Sequence, residues 1–206
     1  YLYPSLIFIA KQINKATKIL VADSPPPYTM CEYNLNFIKE SEHKVVYVGH
    51  FTNAKKNEIK TKTDLEKLIE NNNFGYWMRT GNKSTNDGTG LRYENVFNQN
   101  EMRNEKRIIS HARNEQNIDS VIGKDGKRYS ISDALEKKID WIQIDIGFLS
   151  EQEKDTVLNL CGYAVVNGSH TVMGEIMGGK SKPIIGIPIY DEHTNNIKWA
   201  QEKNLG

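Results

Sequence analysis

Cysteine is nearly missing from this 206-residue chain, with Cys31 and Cys161 its only two. They lie far apart, each in an apolar or mixed neighbourhood, so two buried thiols in a reducing compartment is a better reading than a disulfide. No Cys/His cluster has metal-ligand spacing, and no metal is expected. Long apolar runs are missing too. Nothing approaches the ~20 residues needed to span a bilayer. The opening LIFIA segment is short and lacks a cleavage-site pattern, so it does not read as a signal peptide. Nor is there an excess of one charge. The 27 Lys and Arg balance 26 Asp and Glu, for a formal charge of +1, which removes the electrostatic reason to expect a nucleic-acid partner. Internal repeats and low-complexity tracts are absent.

What is present is the composition of an ordinary soluble protein, 38% hydrophobic and 26% charged. The length suffices for one large core, or for a domain plus part of another. The chain starts at Tyr1 rather than Met and stops at Gly206 just after a helical pattern, so it reads as a fragment or processed piece.

Apolar and polar segments alternate along it. Residues 18–22 (KILVA) form a short buried-strand run that ends at Asp23 and the Pro25–Pro27 triplet, where proline removes donors and forces an extended loop. A second apolar run covers 44–49 (KVVYVG), and the Lys-rich stretch 52–61 is a solvated connection. Thr63 with Glu66 is a capping-box signature that opens the helix TDLEKLIE. Residues 74–80 (FGYWMRT) are strand-like; a loop at 81–90 and a helix near 91–99 follow. Another strand spans 106–112, a turn falls at Asp125-Gly126, and a short helix covers 132–138. Residues 139–146 (IDWIQIDI) form a strand with Ile142, Ile144 and Ile146 on one face. Ser150 and Glu153 make a second capping box, for a helix reaching Leu160 that Gly162 terminates. Strands at 163–166 and 184–189 complete the series. Strands alternating with helices predict a mostly parallel sheet with helices on both faces.

The last fifth of the chain is the most informative. Two helices there start just past the carboxyl ends of two strands, so their N-terminal amides face one crevice, where open α/β sheets bind phosphorylated ligands. Asn167-Gly168-Ser169-His170-Thr171 lies where the first strand ends. Small residues let a ligand approach the backbone, and free amides can hold a diphosphate without a cation. Thr171 and Glu175 share a helix face, and Glu175 leans back toward the same mouth, where a carboxylate can accept both hydroxyls of a ribose. Alternatively, Ser169 is only an N-cap and Glu175 a solvated acid. Glu192, His193 and Asn196 open the second helix, where several short polar groups could converge on a sugar. Alternatively, Asp191 or Thr194 caps that helix and the others are surface residues. His111 ends a strand on the same side of the sheet, although a lone His there is more often structural.

These segments resemble the donor-binding half of the GT-B glycosyltransferases, the two-Rossmann-domain enzymes that include the UDP-glycosyltransferases and the bacterial cell-wall N-acetylglucosaminyltransferase. The family pattern is a strand, H-G-G-x-x-T-x-x-E-A, G-x-P, an apolar strand ending in Pro, and D-Q-x-x-N-A. Here VVNGSHTVMGEI, KPIIGIPI and YDEHTNNIKWA follow in the same order at nearly the same spacing. Asn167-Gly168-Ser169 stands for His-Gly-Gly beside the diphosphate, Glu175 for the ribose-binding Glu, Glu192 and His193 for the sugar-contacting Asp-Gln pair, and Asn196 for its Asn. Asn167 for His, Val172 for Thr and a longer connection at 179–182 are departures. Weaker likenesses place Gly81 in the glycine-containing phosphate loop and Phe148 in the loop that receives the base, although Phe148 fits a core position better.

The resemblance implies a Rossmann-like, doubly wound parallel sheet over residues 44–206, preceded at 1–43 by the end of an N-terminal domain and a linker. It implies transfer of a sugar from a nucleotide donor, a UDP-sugar, with no further cofactor. The acceptor, lipid-linked or small, is held by the other domain, which commonly supplies the base, so the chain by itself is expected to bind donor without turning it over. A cytoplasmic location follows, with room for peripheral association with the inner face of a membrane. The rival readings are a nucleotide-sugar 2-epimerase and a non-catalytic nucleotide-sugar-binding subunit that needs a partner chain.

Overall fold

A computed structural model describes residues 11–26, 29, 41–49, 61–79, 104–111, 118–147, 149–169, 173 and 182–204. The apolar run at 18–22 and that at 44–49 pair as a small parallel sheet of β1 (Ile19–Val21) and β2 (Val45–Tyr47), with Ile19 opposite Val45 and Val21 opposite Tyr47. β1 ends where expected. Asp23, fully buried, accepts from the Ser24 amide at 2.7 Å and from the Thr29 hydroxyl at 2.9 Å, which fixes the turn into the proline segment.

The remaining strands form one seven-stranded sheet: β3 (Gly75–Met78), β4 (Arg107–Ser110), β5 (Ser120–Gly123), β6 (Arg128–Tyr129), β7 (Trp141–Ile146), β8 (Tyr163–Val166) and β9 (Ile184–Gly186). Their order across the sheet is β6-β5-β7-β4-β3-β8-β9. The five strands from β7 to β9 run parallel. Sequence order runs outward from β3 through β4 to β7 on one side and through β8 to β9 on the other, so the direction of winding reverses between β3 and β8.

One element departs from the expected pattern. Residues 118–129 carry more than a turn: β5 and β6 form a hairpin, antiparallel to each other and, through β5, to β7. Its tip is the predicted Asp125-Gly126 turn, with Gly126 at φ +76 and its amide on the Gly123 carbonyl at 2.9 Å. β9 is also shorter than expected, stopping at Gly186 before Pro188.

The four named helices are α1 (Asp64–Ile69), α2 (Ile131–Glu136), α3 (Glu151–Leu160) and α4 (Asp191–Glu202). Both predicted capping boxes form. Thr63 accepts from the Glu66 amide at 3.3 Å while Glu66 accepts from the Thr63 amide at 2.7 Å; Ser150 and Glu153 do the same at 3.3 and 3.0 Å. Glu66 also joins two helices, accepting from the Thr156 hydroxyl at 2.6 Å and the Gln152 amide at 2.8 Å. Gly162 does not end α3 through a left-handed turn. Cys161 leaves the helix in an extended conformation, and Gly162 is small because a Cβ there would lie 2.8 Å from the Asn73 amide oxygen.

All four helices send their buried apolar side chains into a single core, against Tyr76, Met78, Ile108, Ile144 and Ala164 of the sheet. Phe74 and Trp141 meet there with ring centroids 6.2 Å apart, each such ring adding roughly 1.5–3 kcal/mol by leaving water. The opposite face carries a smaller cluster of Trp77, Ile109 and Val165. The helix expected near 91–99 lies outside the described residues. No helix among the described residues is long and apolar enough to cross a membrane.

Candidate functional site

The carboxyl ends of β3 and β8 meet where the winding reverses, and there the predicted loop after β8 has a definite shape. Its first residue, Asn167, accepts the Ser169 amide on its side-chain oxygen at 3.0 Å, which closes a tight Asx turn. Between them Gly168 has φ +86, a conformation costly for any side chain. A Cβ at Gly168 would also sit 2.7 Å from Ile197 Cγ1 and 2.9 Å from the His193 carbonyl oxygen, so α4 presses directly on this glycine. The Ser169 carbonyl accepts the Met173 amide at 3.0 Å.

The second predicted segment, at the start of α4, comes to the same place. Asn196 is fully buried and its amide donates to the Gly168 carbonyl at 3.0 Å, so a side chain of α4 holds the loop after β8 by its backbone. Asn196 is therefore turned toward the protein as a strap, a role its expected place among sugar-contacting groups did not include. His193 is buried as well, 6% exposed, with its ring edge-on to Tyr190 at 5.1 Å. Burial pulls the imidazole pKa below its ordinary value, against the opposing pull of Glu192, so the ring is neutral at pH 7. Its Nδ1 is sealed from solvent and has no hydrogen-bond partner among the described residues. Glu192 is exposed beside it. Neither Asp191 nor Thr194 is the N-cap of α4: that position is Tyr190, whose side chain makes no capping bond, and the Thr194 hydroxyl donates to the Tyr190 carbonyl at 3.4 Å. Among the described residues the first amides of α4 have no side-chain cap, and they carry the positive pole of a 12-residue helix.

Asn167, Gly168, Ser169, Glu192, His193 and Asn196 belong to this one region. Gly81, Phe148, His170, Thr171 and Glu175 lie outside the described residues.

A further cluster, which the sequence pattern pointed to only through His111, occupies the adjoining carboxyl ends of β3, β4 and β7. Arg79 Nη1 lies 2.9 Å from His111 Nδ1, and His111 Nε2 lies 3.1 Å from Asp145 Oδ1. A guanidinium only donates, so Nδ1 is the acceptor and the Nε2–H donates to the carboxylate. Asp145 also receives the Gln143 amide at 3.0 and 3.1 Å on its two oxygens, and Gln143 in turn accepts from Arg107 Nε at 2.7 Å. Arg128 Nη1 approaches the same carboxylate at 3.9 Å. Burial pushes the Arg107 guanidinium down from its ordinary range, and the Asp145 carboxylate acts against that shift. The side chains of His111 and Asp145 are only 12% and 8% exposed. The signal for this cluster was the alternation within IDWIQIDI, which turns Gln143 and Asp145 away from the isoleucine face.

Among the described residues no group of three or more His, Cys, Asp or Glu side chains is disposed to hold a metal ion. Cys161 is a free, buried thiol whose pKa desolvation raises to about 11; Cys31 lies outside the described residues. The sequence matches no protein-family model and no curated protein.

Proposed function

We propose that this chain is the donor-binding domain of a GT-B glycosyltransferase, which transfers a sugar from a nucleotide donor, a UDP-sugar, to an acceptor. The observation that carries the reading is the convergence of the loop 167–169 and the first turns of α4, joined by the Asn196–Gly168 bond at the point where the sheet reverses its winding. Counting only the parallel strands in sequence order, the sheet reads 3-2-1-4-5, the order of doubly wound nucleotide-binding folds, whose ligands lie beyond the carboxyl ends of the strands at that reversal. The first amides of α4, which the side chain of its N-cap Tyr190 leaves uncapped, border the loop 167–169. Such amides bind a diphosphate by charge and by direct hydrogen bonds.

In this reading the chain's part in the reaction is electrostatic. As the bond between sugar and diphosphate breaks, negative charge grows on the leaving oxygen, and amides already aimed at it need not reorganise. One such donor is typically worth about 3 kcal/mol of barrier. By the family pattern Glu175 holds the ribose hydroxyls and Glu192 with His193 borders the sugar; no catalytic base is assigned. The intended location is the cytoplasm, with the acceptor brought by another domain or from a membrane surface.

Calorimetric titration of the chain with a panel of UDP-sugars tests this. Binding of at least one, weakened at least about tenfold by Glu175→Ala through loss of a charged hydrogen-bond acceptor, is the expected result. A wild-type chain that binds none of them, or a Glu175→Ala variant that binds equally well, overturns the assignment.

A further inference from the structure

We propose that Asn167 is a site of spontaneous covalent modification, a deamidation site that α4 keeps closed. Asn167-Gly168 is the only Asn-Gly dipeptide among the 206 residues, and in such a pair a side chain and a backbone amide react without a catalyst. The Gly168 amide nitrogen gives up its proton and attacks the Asn167 side-chain carbonyl carbon. The new C–N bond closes a cyclic imide, and the side-chain nitrogen leaves as ammonia, carrying that proton. Water then opens the ring at either carbonyl, giving aspartate or isoaspartate, so water is the sole co-reactant. Glycine in the second place favours the attack, because no Cβ crowds the nitrogen and the backbone swings freely into reach.

The folded loop removes that freedom. The Asn167 side-chain oxygen is held on the Ser169 amide at 3.0 Å, one residue beyond the nitrogen that would attack. Gly168 itself is buried, and its carbonyl accepts the amide of the fully buried Asn196 at 3.0 Å. α4 packs against the same glycine so closely that a Cβ there would lie 2.7 Å from Ile197 Cγ1 and 2.9 Å from the His193 carbonyl oxygen. Ring closure needs the carbon and the nitrogen in aligned near contact. A loop pinned at Ser169, Asn196 and Ile197 has to leave its place to reach that geometry, and the reaction is therefore gated by local opening.

Burying an amide side chain is costly unless it is paired. The bond from Asn196 to the Gly168 carbonyl meets that need and at the same time holds the reactive pair in an unproductive arrangement. Once the loop has opened and reacted, the change is one-way. Isoaspartate carries the main chain through the side-chain carbons, which lengthens the backbone at residue 167 and displaces Gly168 from its seat against Ile197. No step involves a ligand, so the chemistry is independent of the donor-site reading.

The test is timed incubation of the whole chain in warm, mildly alkaline buffer. Peptide mass spectrometry reads the exchange of amide for acid at residue 167, and isoaspartate is resolved by its separate elution. The same chain unfolded in urea sets the unguarded rate. The folded chain is expected to react at least about tenfold more slowly than the unfolded one. Asn196→Ala, checked for folding by circular dichroism, is expected to react about fivefold or more faster than folded wild type. A series of sub-denaturing urea concentrations gives a second reading on wild type alone: opening confined to the loop exposes little surface, so the rate should rise with urea far less steeply than global unfolding does. Asn167→Ser, which keeps a side-chain oxygen for the Ser169 amide, should show no exchange at that position. An unfolded chain that does not react at Asn167 overturns the site. A folded chain that reacts as fast as the unfolded one overturns the guard. An Asn196→Ala rate equal to wild type, or a urea slope equal to that of global unfolding, overturns the gating by α4.

Discussion

The two faces of the seven-stranded sheet are built on different principles. On one, Ile108, Ile144, Ala164 and Val166 are sealed under four helices, and nearly every contact is apolar. On the other, a short apolar cluster gives way, strand by strand, to Arg107, Gln143, Asp145, His111 and Arg79. Ile144 and Asp145 are chain neighbours, yet one is packed for stability and the other is desolvated at a cost. Alternation along a strand lets a single segment serve both ends. Removing an apolar group should therefore cost more stability than altering a polar one.

The sharpest way to break this contrast is Ile144→Ala. It removes a fully buried side chain, and a loss of about 2–5 kcal/mol in urea unfolding is expected, with nucleotide affinity unchanged while the protein stays folded. Asp145→Asn, one residue away, keeps the shape and should lose no more than about 1–3 kcal/mol. If Asp145→Asn proved as destabilising as Ile144→Ala, the division between the faces would be wrong. Gly168→Ala forces a side chain into a left-handed backbone position against Ile197; about 1–3 kcal/mol is expected by thermal unfolding, with loss of UDP-sugar binding. Ser150→Ala removes one half of a capping box and should lower stability by about 1 kcal/mol, leaving every binding constant as it was.

A pH titration is the mildest of these probes. At Glu66 burial raises the carboxyl pKa, but the bonds from Thr156, Thr63 and Gln152, aided by Lys62, outweigh it, and the net shift is downward. The unfolded state then holds more protons over the window below pH 4.5, so this contribution is complete above that value and fades as acid protonates the folded carboxylate. His193 acts in the same direction at a higher pH. Its lowered pKa makes protonation of the folded state unfavourable, so stability should decline as the pH falls below 6.5. Urea unfolding of His193→Gln between pH 7 and 5, and of Glu66→Gln from pH 5 downward, should each lack its own step; an unchanged profile would show that the group does not contribute.

Much of this was legible in the sequence because the signals are local. Thr63 and Glu66, or Ser150 and Glu153, are three residues apart, and a capping box needs nothing else. The loop at Asn167-Gly168-Ser169 was legible for the same reason, as small polar residues after an apolar run. The β5–β6 hairpin was missed because its strands have four and two residues and β5 takes its place by pairing with β7, which no local pattern encodes. The Arg79–His111–Asp145 chain was missed because its partners lie 32 and 34 residues apart. His111 in isolation looked structural, and only the sheet order places it between the other two. Asn196 stood out in the sequence pattern, but the direction of its side chain depended on α4 packing against Gly168, a tertiary contact.

Cys161 closes α3 just before β8, completely buried, with its thiol pKa raised to about 11. Thiolate is the reactive form, so the folded chain keeps this sulfur silent at neutral pH, and an alkylating reagent can reach it only when the junction between α3 and β8 comes apart. In a background with Cys31→Ser, the labelling rate of that one atom becomes a clock for local opening.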